Sequence, residues 1–251
     1  MNILVCLKRV PDVGGRITLT ADAKDIDAKF LGFTISPHEE CAIEEAVRVV
    51  ESHGGAVTAL TLGSEAAIEQ LRNAIALGAH QAALLETDGR EFGPIATAKA
   101  IAAFARDRGP FELVMFGNES ADAGNFQVGI RVAHLLGLPV VTGLKALEIQ
   151  GDRIRARREY AGNGEIFQVS LPAVLTVKEG INLPRYPSLP GRMRATKATI
   201  DKVPVEWEEE GLRSEALRVP RQDRRSAEVL GNGVDAIAKL VVLLEEIGII
   251  S

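Results

Sequence analysis

Glycines at 117, 124 and 129 punctuate the stretch FGNESADAGNFQVG (116–129), with Asn118, Asp122, Asn125 and Gln127 between them. An apolar run, FELVM, precedes it and a helix-like run, IRVAHLLG, overlaps its end, so the stretch reads as a turn from strand to helix. Free backbone N–H groups at the positive end of a helix suit an anion. The stretch matches neither G-x-G-x-x-G nor G-x-x-x-x-G-K-[ST], so the two best-known phosphate fingerprints are absent. Asp122 and Asn125 are also natural helix caps, and capping alone would account for them. Two further turns open helices in the same manner: FTISPHEECAIEEA, with Ser36 as N-cap and Pro37 in the first turn, and TLGSEA at 61–66.

Other reactive side chains form no constellation. His38, His53, His80 and His134 lack zinc-ligand spacing, and Ser36 and Ser120 lack a nucleophile elbow. Cys6 lies in a strand-like run, where an inert buried thiol is expected. The neighbouring carboxylates Glu39/Glu40 and Glu44/Glu45 point to different helix faces and are expected in solvent. No catalytic residue and no metal ligand is nominated.

The elements that must position these turns are legible as alternating strands and helices. Strand-like runs span 2–8, 56–63, 81–87 and 111–117. Between them, one helix places Ile43, Ala46, Val47 and Val50 on one face and Glu44, Glu45, Arg48 and Glu51 on the other. A second starts at Ser64, turns Ile68, Leu71 and Ile75 inward and stops at Gly78. A third starts near Pro94, with Ile95, Ala98, Ile101 and Ala105 inward, and a fourth ends at Gly137. This grammar predicts an α/β fold with a mostly parallel, doubly wound sheet, whose ligand site lies outside the carboxyl ends of the strands. Beyond about 140, the chain predicts an antiparallel hairpin extension with turns at QGDR and GNGE. Arg153, Arg155 and Arg157 there alternate with Ile154 and Ala156. PRYPSLPGRMRAT reads as a structured loop, and GVDAIAKLVVLLEEIGII as an amphipathic helix that packs on the domain or on a partner.

A chain of 251 residues can bury a sizeable core, and its 46% hydrophobic and 25% charged content is that of a soluble globular protein. A net charge of −5 argues against nucleic acid and anionic membrane as partners. The acidic run EWEEE (206–210) is explained by a solvated surface. Two cysteines do not make a disulfide scaffold, and MNILVCLKRV is too short for a signal segment. No stretch approaches transmembrane length, so no direct membrane insertion and a cytoplasmic location are expected.

Five blocks, VCLKRVPD, SPHEECAIEEAVRV, LGAHQAALLE, FGNESADAGNFQVG and LPAVLTVKEGINLPRYPSLPGRMRATK, follow one another in an order and spacing that resemble the β subunit of electron transfer flavoproteins. The resemblance runs from residue 1 to about 200, and 171–197 is its most specific part. It implies an adenine nucleotide alpha hydrolase-like domain (1–200) and a C-terminal arm (201–251) packing on an electron transfer flavoprotein α subunit, with which FAD is shared. The β subunit would carry no catalysis of its own. It would hold AMP structurally or, in a bifurcating branch, a second FAD reduced by NADH. Electrons would come from acyl-CoA dehydrogenase-type donors of fatty acid oxidation and pass to a quinone oxidoreductase.

By the same resemblance the nucleotide would contact Cys6, Ser36, Pro37, His38, Glu39 and Leu62, together with Gly117, Asn118, Glu119, Ser120, Ala121, Asp122, Ala123, Gly124, Asn125, Phe126, Gln127 and Val128. Arg185, Tyr186, Leu189, Pro190 and Met193 would meet the dehydrogenase, with Leu189 as the apolar anchor. The chain departs from the family pattern at Ser120–Gly124, where one acidic residue is lost, and at His38, where an aromatic residue is usual. AMP and a second FAD both remain open. A stand-alone nucleotide hydrolase would need Glu119 or Asp122 as its base.

Overall fold

The computed structural model describes residues 1–12, 14, 17–90, 92–208, 214–220 and 229–250. In chain order β1 (Asn2–Leu7) is followed by the short β2 (Val10–Pro11) and β3 (Phe33–Thr34), then α1 (Pro37–His53), β4 (Ala56–Gly63), α2 (Ile68–Leu77), β5 (Gln81–Glu86), α3 (Pro94–Arg108), β6 (Leu113–Gly117) and α4 (Val128–Leu136). The second half contributes β7 (Val140–Gln150), β8 (Arg153–Tyr160), β9 (Asn163–Ser170), β10 (Ala173–Val177), α5 (Leu189–Lys197), β11 (Asp201–Pro204) and α6 (Ala236–Glu246).

One nine-stranded sheet runs in the order β11-β5-β4-β1-β6-β10-β7-β8-β9, while β2 and β3 pair separately. Every pairing from β11 to β7 is parallel, and the pairings of β7 with β8 and of β8 with β9 are antiparallel. The central strands are apolar runs because both their faces are covered. Ile3, Val5, Val57 and Leu84 face α1 and α2, whereas Leu4, Leu60, Leu85 and Val114 face α3 and α4. The side chains of β8 alternate as expected, with Ile154 and Ala156 buried and Arg153, Arg155 and Arg157 exposed.

The structure corrects the sequence reading at several points. LPAVLTV does not extend the antiparallel ribbon. As β10 it inserts between β6 and β7, parallel to both, because it is apolar on both faces and only the sheet interior buries both. The second hairpin turn falls at Ala161 and Gly162, both at positive φ, two residues before GNGE would centre it. The second half of the proline-rich stretch is a helix, α5. Ser188 caps it by accepting the Gly191 N–H at 3.2 Å, and Pro190 fits its first turn, where no N–H is needed. Ile95 is 40% exposed rather than inward. Glu39 and Glu44 are buried at 6% and 4% exposure, not solvated. No residue of α6 is buried. Of the acidic run, Glu208 pairs with Lys99 at 2.5 Å, and residues 209–210 lie outside the described residues.

Removing a fully buried side chain of α1 should cost far more than the same change on α6. Ile43→Ala is expected to lose about 2–5 kcal/mol in urea unfolding, and Ile237→Ala, 55% exposed, within about 0.5 kcal/mol of zero. Equal losses would contradict the burial described.

Candidate functional site

The chain changes its direction of winding at β1, with β4 and β5 to one side and β6 to the other. The helices after β1 and β4 therefore cover one face and those flanking β6 the opposite face, leaving a crevice at the carboxyl ends of β1 and β6. A cavity of 520 Å³ opens there, within the range of about 300–1,000 Å³ usual for small-molecule sites. Residues 6–8, 60–64 and 116–120 line it from the ends of β1, β4 and β6. The first turns of α3 and α4 and residues 158–160 of β8 complete the wall.

One helix start, that of α4, opens onto this space. Gln127 before α4 supplies no side-chain cap, and the N–H groups of its first turn, at Val128, Gly129 and Ile130 in the cavity wall, have no intrahelical partner. Thr61 lines the cavity at 1% exposure, and its buried hydroxyl oxygen has no partner. These orphaned groups fit a phosphate and a ribose, while Leu60, Leu62, Ile101, Phe116 and Val128 supply an apolar slot for a flat ring. Lys8, Arg90, Arg158 and Lys178 oppose Glu39, Glu119 and Glu159 in the lining. Phe126, at φ +56, holds a left-handed conformation unusual for an aromatic residue and stands half exposed in the lining.

Three strand ends are fixed to one another beneath the cavity. Thr176 donates from Oγ1 to Asn118 Oδ1 at 2.8 Å and accepts the Gly143 N–H at 2.9 Å, joining β6, β10 and β7. Gly129 lets α4 start directly against these ends, because a Cβ there would stand 2.9 Å from Thr176 Cγ2.

The start of α1, in contrast, is closed from within. Glu39 accepts the Ser36 N–H at 3.1 Å and the Lys8 N–H at 3.0 Å. Ser36 Oγ donates to Glu119 O at 3.4 Å. Burial pushes the Glu39 carboxyl up to about 8, against the pull of the two N–H donors and of Lys8. The same desolvation raises the Cys6 thiol well above its ordinary range, as expected of an inert thiol. Asp122 lies 2.6 Å from Lys8 Nζ, and it ionises below the usual range because Lys8, Ser120 and Ala123 donate to it more strongly than burial opposes it. Burial lowers the His38 imidazole, and Glu119, 4.0 Å away, opposes this only in part.

Of the nucleotide residues named from the sequence, Cys6, Glu39, Leu62, Gly117, Asn118, Glu119, Ser120, Ala123, Asn125, Phe126, Gln127 and Val128 line the cavity. Ser36, Pro37, His38, Ala121, Asp122 and Gly124 are not in its lining. The first three belong to the self-closed start of α1, and Asp122 is committed to Lys8. Asp122 and Asn125 do not cap α4, which begins after Gln127. Thr61 lies in the TLGSEA turn noted from the sequence but was not named as a site residue, and sequence reasoning missed Thr176, Lys178 and the walls at 87–90, 92–97 and 158–160. The signal for one of these walls was present in Gly93 and Pro94 at a strand-to-helix turn. Tyr186, Leu189 and Met193 stand 94%, 74% and 57% exposed on the face of α1 and α5, away from the cavity lining. Among the described residues no group of three or more His, Cys, Asp or Glu could hold a metal, and no helix is long and apolar enough to cross a membrane.

Residues 29–207 match the electron transfer flavoprotein domain. The chain is 37% identical to the electron transfer flavoprotein subunit beta of Bacillus subtilis over 82% of its own length and 80% of that protein's. It is 34% identical to the protein of the same description from Thermoanaerobacterium thermosaccharolyticum over 96% of each chain. A third relative so described, from Mycobacterium bovis, is 34% identical over 93% of this chain and 92% of its own.

Glu39 gives the site a pH signature. A carboxyl raised from 4.5 to about 8 keeps its proton in the folded chain after the unfolded chain has lost it. Stability therefore falls as pH rises between these values, by at most about 1.4 kcal/mol per unit. Glu39→Gln should flatten this part of the urea-unfolding profile between pH 5 and 8. An unchanged slope would show that Glu39 is ionised throughout.

Proposed function

The chain belongs to the electron transfer flavoprotein family, among its beta subunits, and from that premise we propose that it is a non-catalytic carrier subunit. In this reading it holds AMP in the 520 Å³ cavity and, with an α subunit, helps to hold FAD. The observation that carries the nucleotide is the start of α4, with no side-chain cap from Gln127, opening onto the cavity that the unpartnered Thr61 hydroxyl also lines.

The bound flavin supplies the redox chemistry, and the residues of this chain supply position and surroundings. The first turn of α4 would direct its N–H groups at the phosphate. Thr61 would take a ribose or phosphate oxygen, and Leu60, Leu62 and Phe116 would exclude water from the base. Hydrolysis gains no support from Asp122, one of its two candidate bases, because that carboxylate is held by Lys8 at 2.6 Å. Leu189 serves as the docking knob for an acyl-CoA dehydrogenase-type donor, with a quinone oxidoreductase as acceptor. Its 74% exposure at the first residue of α5 supports that role.

A second reading follows from the reach of the cavity to Arg158, Glu159 and Tyr160 on the hairpin. This extension could take the larger body of a second FAD, reduced by NADH, as in bifurcating members. Nucleotides released by denaturing the purified heterodimer separate the two: one flavin with one AMP supports the first reading, and two flavins support the second. Finding neither AMP nor a second flavin would overturn the assignment of the cavity.

Leu189→Ala should leave flavin content unchanged and raise the KM of the dehydrogenase for the heterodimer by about 30-fold, as for loss of an interface hot spot. Loss of FAD in that variant would make Leu189 structural instead.

A further inference from the structure

The segment joining β10 to α5 combines a tethered backbone with exposed apolar side chains. Leu183 and Tyr186 are 83% and 94% exposed, and Leu189 and Met193 continue the same apolar strip onto α5. No core requirement explains side chains so placed. The segment is tied to α1 at Asn182, Leu183 and Arg185. Asn182 Nδ2 donates to Cys41 O at 3.0 Å and to Glu45 Oε2 at 2.8 Å, and Arg48 Nη2 donates to Leu183 O at 3.3 Å.

Arg185 makes the densest of these ties. Its backbone N–H and its Nε reach Glu44 Oε2 at 3.1 and 2.8 Å, and Nη2 reaches Glu44 Oε1 at 3.2 Å. Its two terminal nitrogens also reach Glu51, at 2.6 and 2.9 Å. Glu44 is buried, and Arg48 Nε lies 2.6 Å from its Oε1. Burial alone would push the Glu44 carboxyl up, but the Arg185 and Arg48 donors outweigh it and hold it below the usual range. One guanidinium thus spans two carboxylates seven residues apart on α1, a geometry that a planar fork satisfies and a single ammonium does not.

We infer that Arg185 is a positioning residue, which through Glu44 and Glu51 fixes the 182–189 segment so that Leu183, Tyr186 and Leu189 are presented to the electron donor as a preformed ridge. The inference rests on the docking reading of Leu189 given above. Its physical content is that the segment is ordered on folding, not at encounter, so the ordering cost does not fall on docking. The buried carboxylate supplies strength, since an exposed pair alone would hold the segment only weakly.

The test uses the flavin-loaded heterodimer with Arg185→Ala, Arg185→Lys and Leu189→Ala, read by amide exchange at 182–189 and by dehydrogenase kinetics. Arg185→Ala should speed exchange there about tenfold and raise KM about fivefold, with kcat and flavin content unchanged. Arg185→Lys should fall between it and the parent. Leu189→Ala should raise KM without altering exchange at 182–187. Unchanged exchange in Arg185→Ala overturns the clamp. Faster exchange with unchanged KM overturns its role in docking, provided Leu189→Ala still raises KM. If Leu189→Ala also leaves KM unchanged, the docking reading has failed, and the inference fails with it. Should Arg185→Ala not assemble, Glu51→Gln removes only the exposed half of the clamp and should show the same signs at smaller size.

Discussion

No side chain fits at position 117. A Cβ on Gly117 would stand 2.8 Å from Glu39 Cγ and 3.0 Å from Glu39 N, so the end of β6 lies against the first turn of α1. That approach brings Glu39 to where it can take the backbone N–H that follows β1, and it sends Asn118 towards Thr176. Gly129 plays the same part for α4, with Phe116 and Thr176 in the space a side chain would fill. The floor of the cavity is consequently built of backbone, and donors that face it can approach a ligand more closely than side chains would allow.

Two buried carboxylates on one helix meet their burial in opposite ways. Glu39 receives only neutral N–H donors at short range, and its carboxyl rises to about 8. Glu44, less than two turns further on, receives guanidinium groups from Arg185 and Arg48, and its carboxyl falls. Desolvation raises both; the formal charge of the donor decides the sign. α1 is therefore more than a covering layer. Its first turn places Glu39 in the cavity wall, and its middle secures the segment that carries exposed Leu183 and Tyr186.

What could be read from the sequence was whatever depends on neighbours along the chain. The strand runs, the start of α3 at Pro94 and the stop at Gly78 follow from period and turn chemistry, and the glycine-rich stretch stood out for the same reason. What escaped depended on partners far away in sequence. LPAVLTV reads as a strand, but only the vacant lane between β6 and β7 makes it parallel. Glu44 has the spacing of a solvated face, and it is buried because Arg185 arrives from 141 residues further along. Ser36–Glu39 has the pattern of an anion-binding helix start, yet its N–H donors are used within the turn, and Glu39 accepts the Lys8 N–H as well. Much of the cavity lining was named because family resemblance identified it; the residue types alone marked only the loop. The wall at 158–160 escaped both routes because its strand pattern is explained by packing, while the wall before α3 was signalled only by the turn at Gly93 and Pro94.

The insertion of β10 between β6 and β7 also sets an order of assembly. Strands up to β6 can pair as they leave the ribosome, but the lane beside β6 stays open until residues 173–177 have been made, after the whole β7–β9 ribbon. Asn118 finds Thr176 only then, and Lys178 takes its place in the wall later still. The chain cannot close its cavity during synthesis of its first half, so closure belongs to the last stage of folding, when the segment that follows β10 is also being laid down on α1.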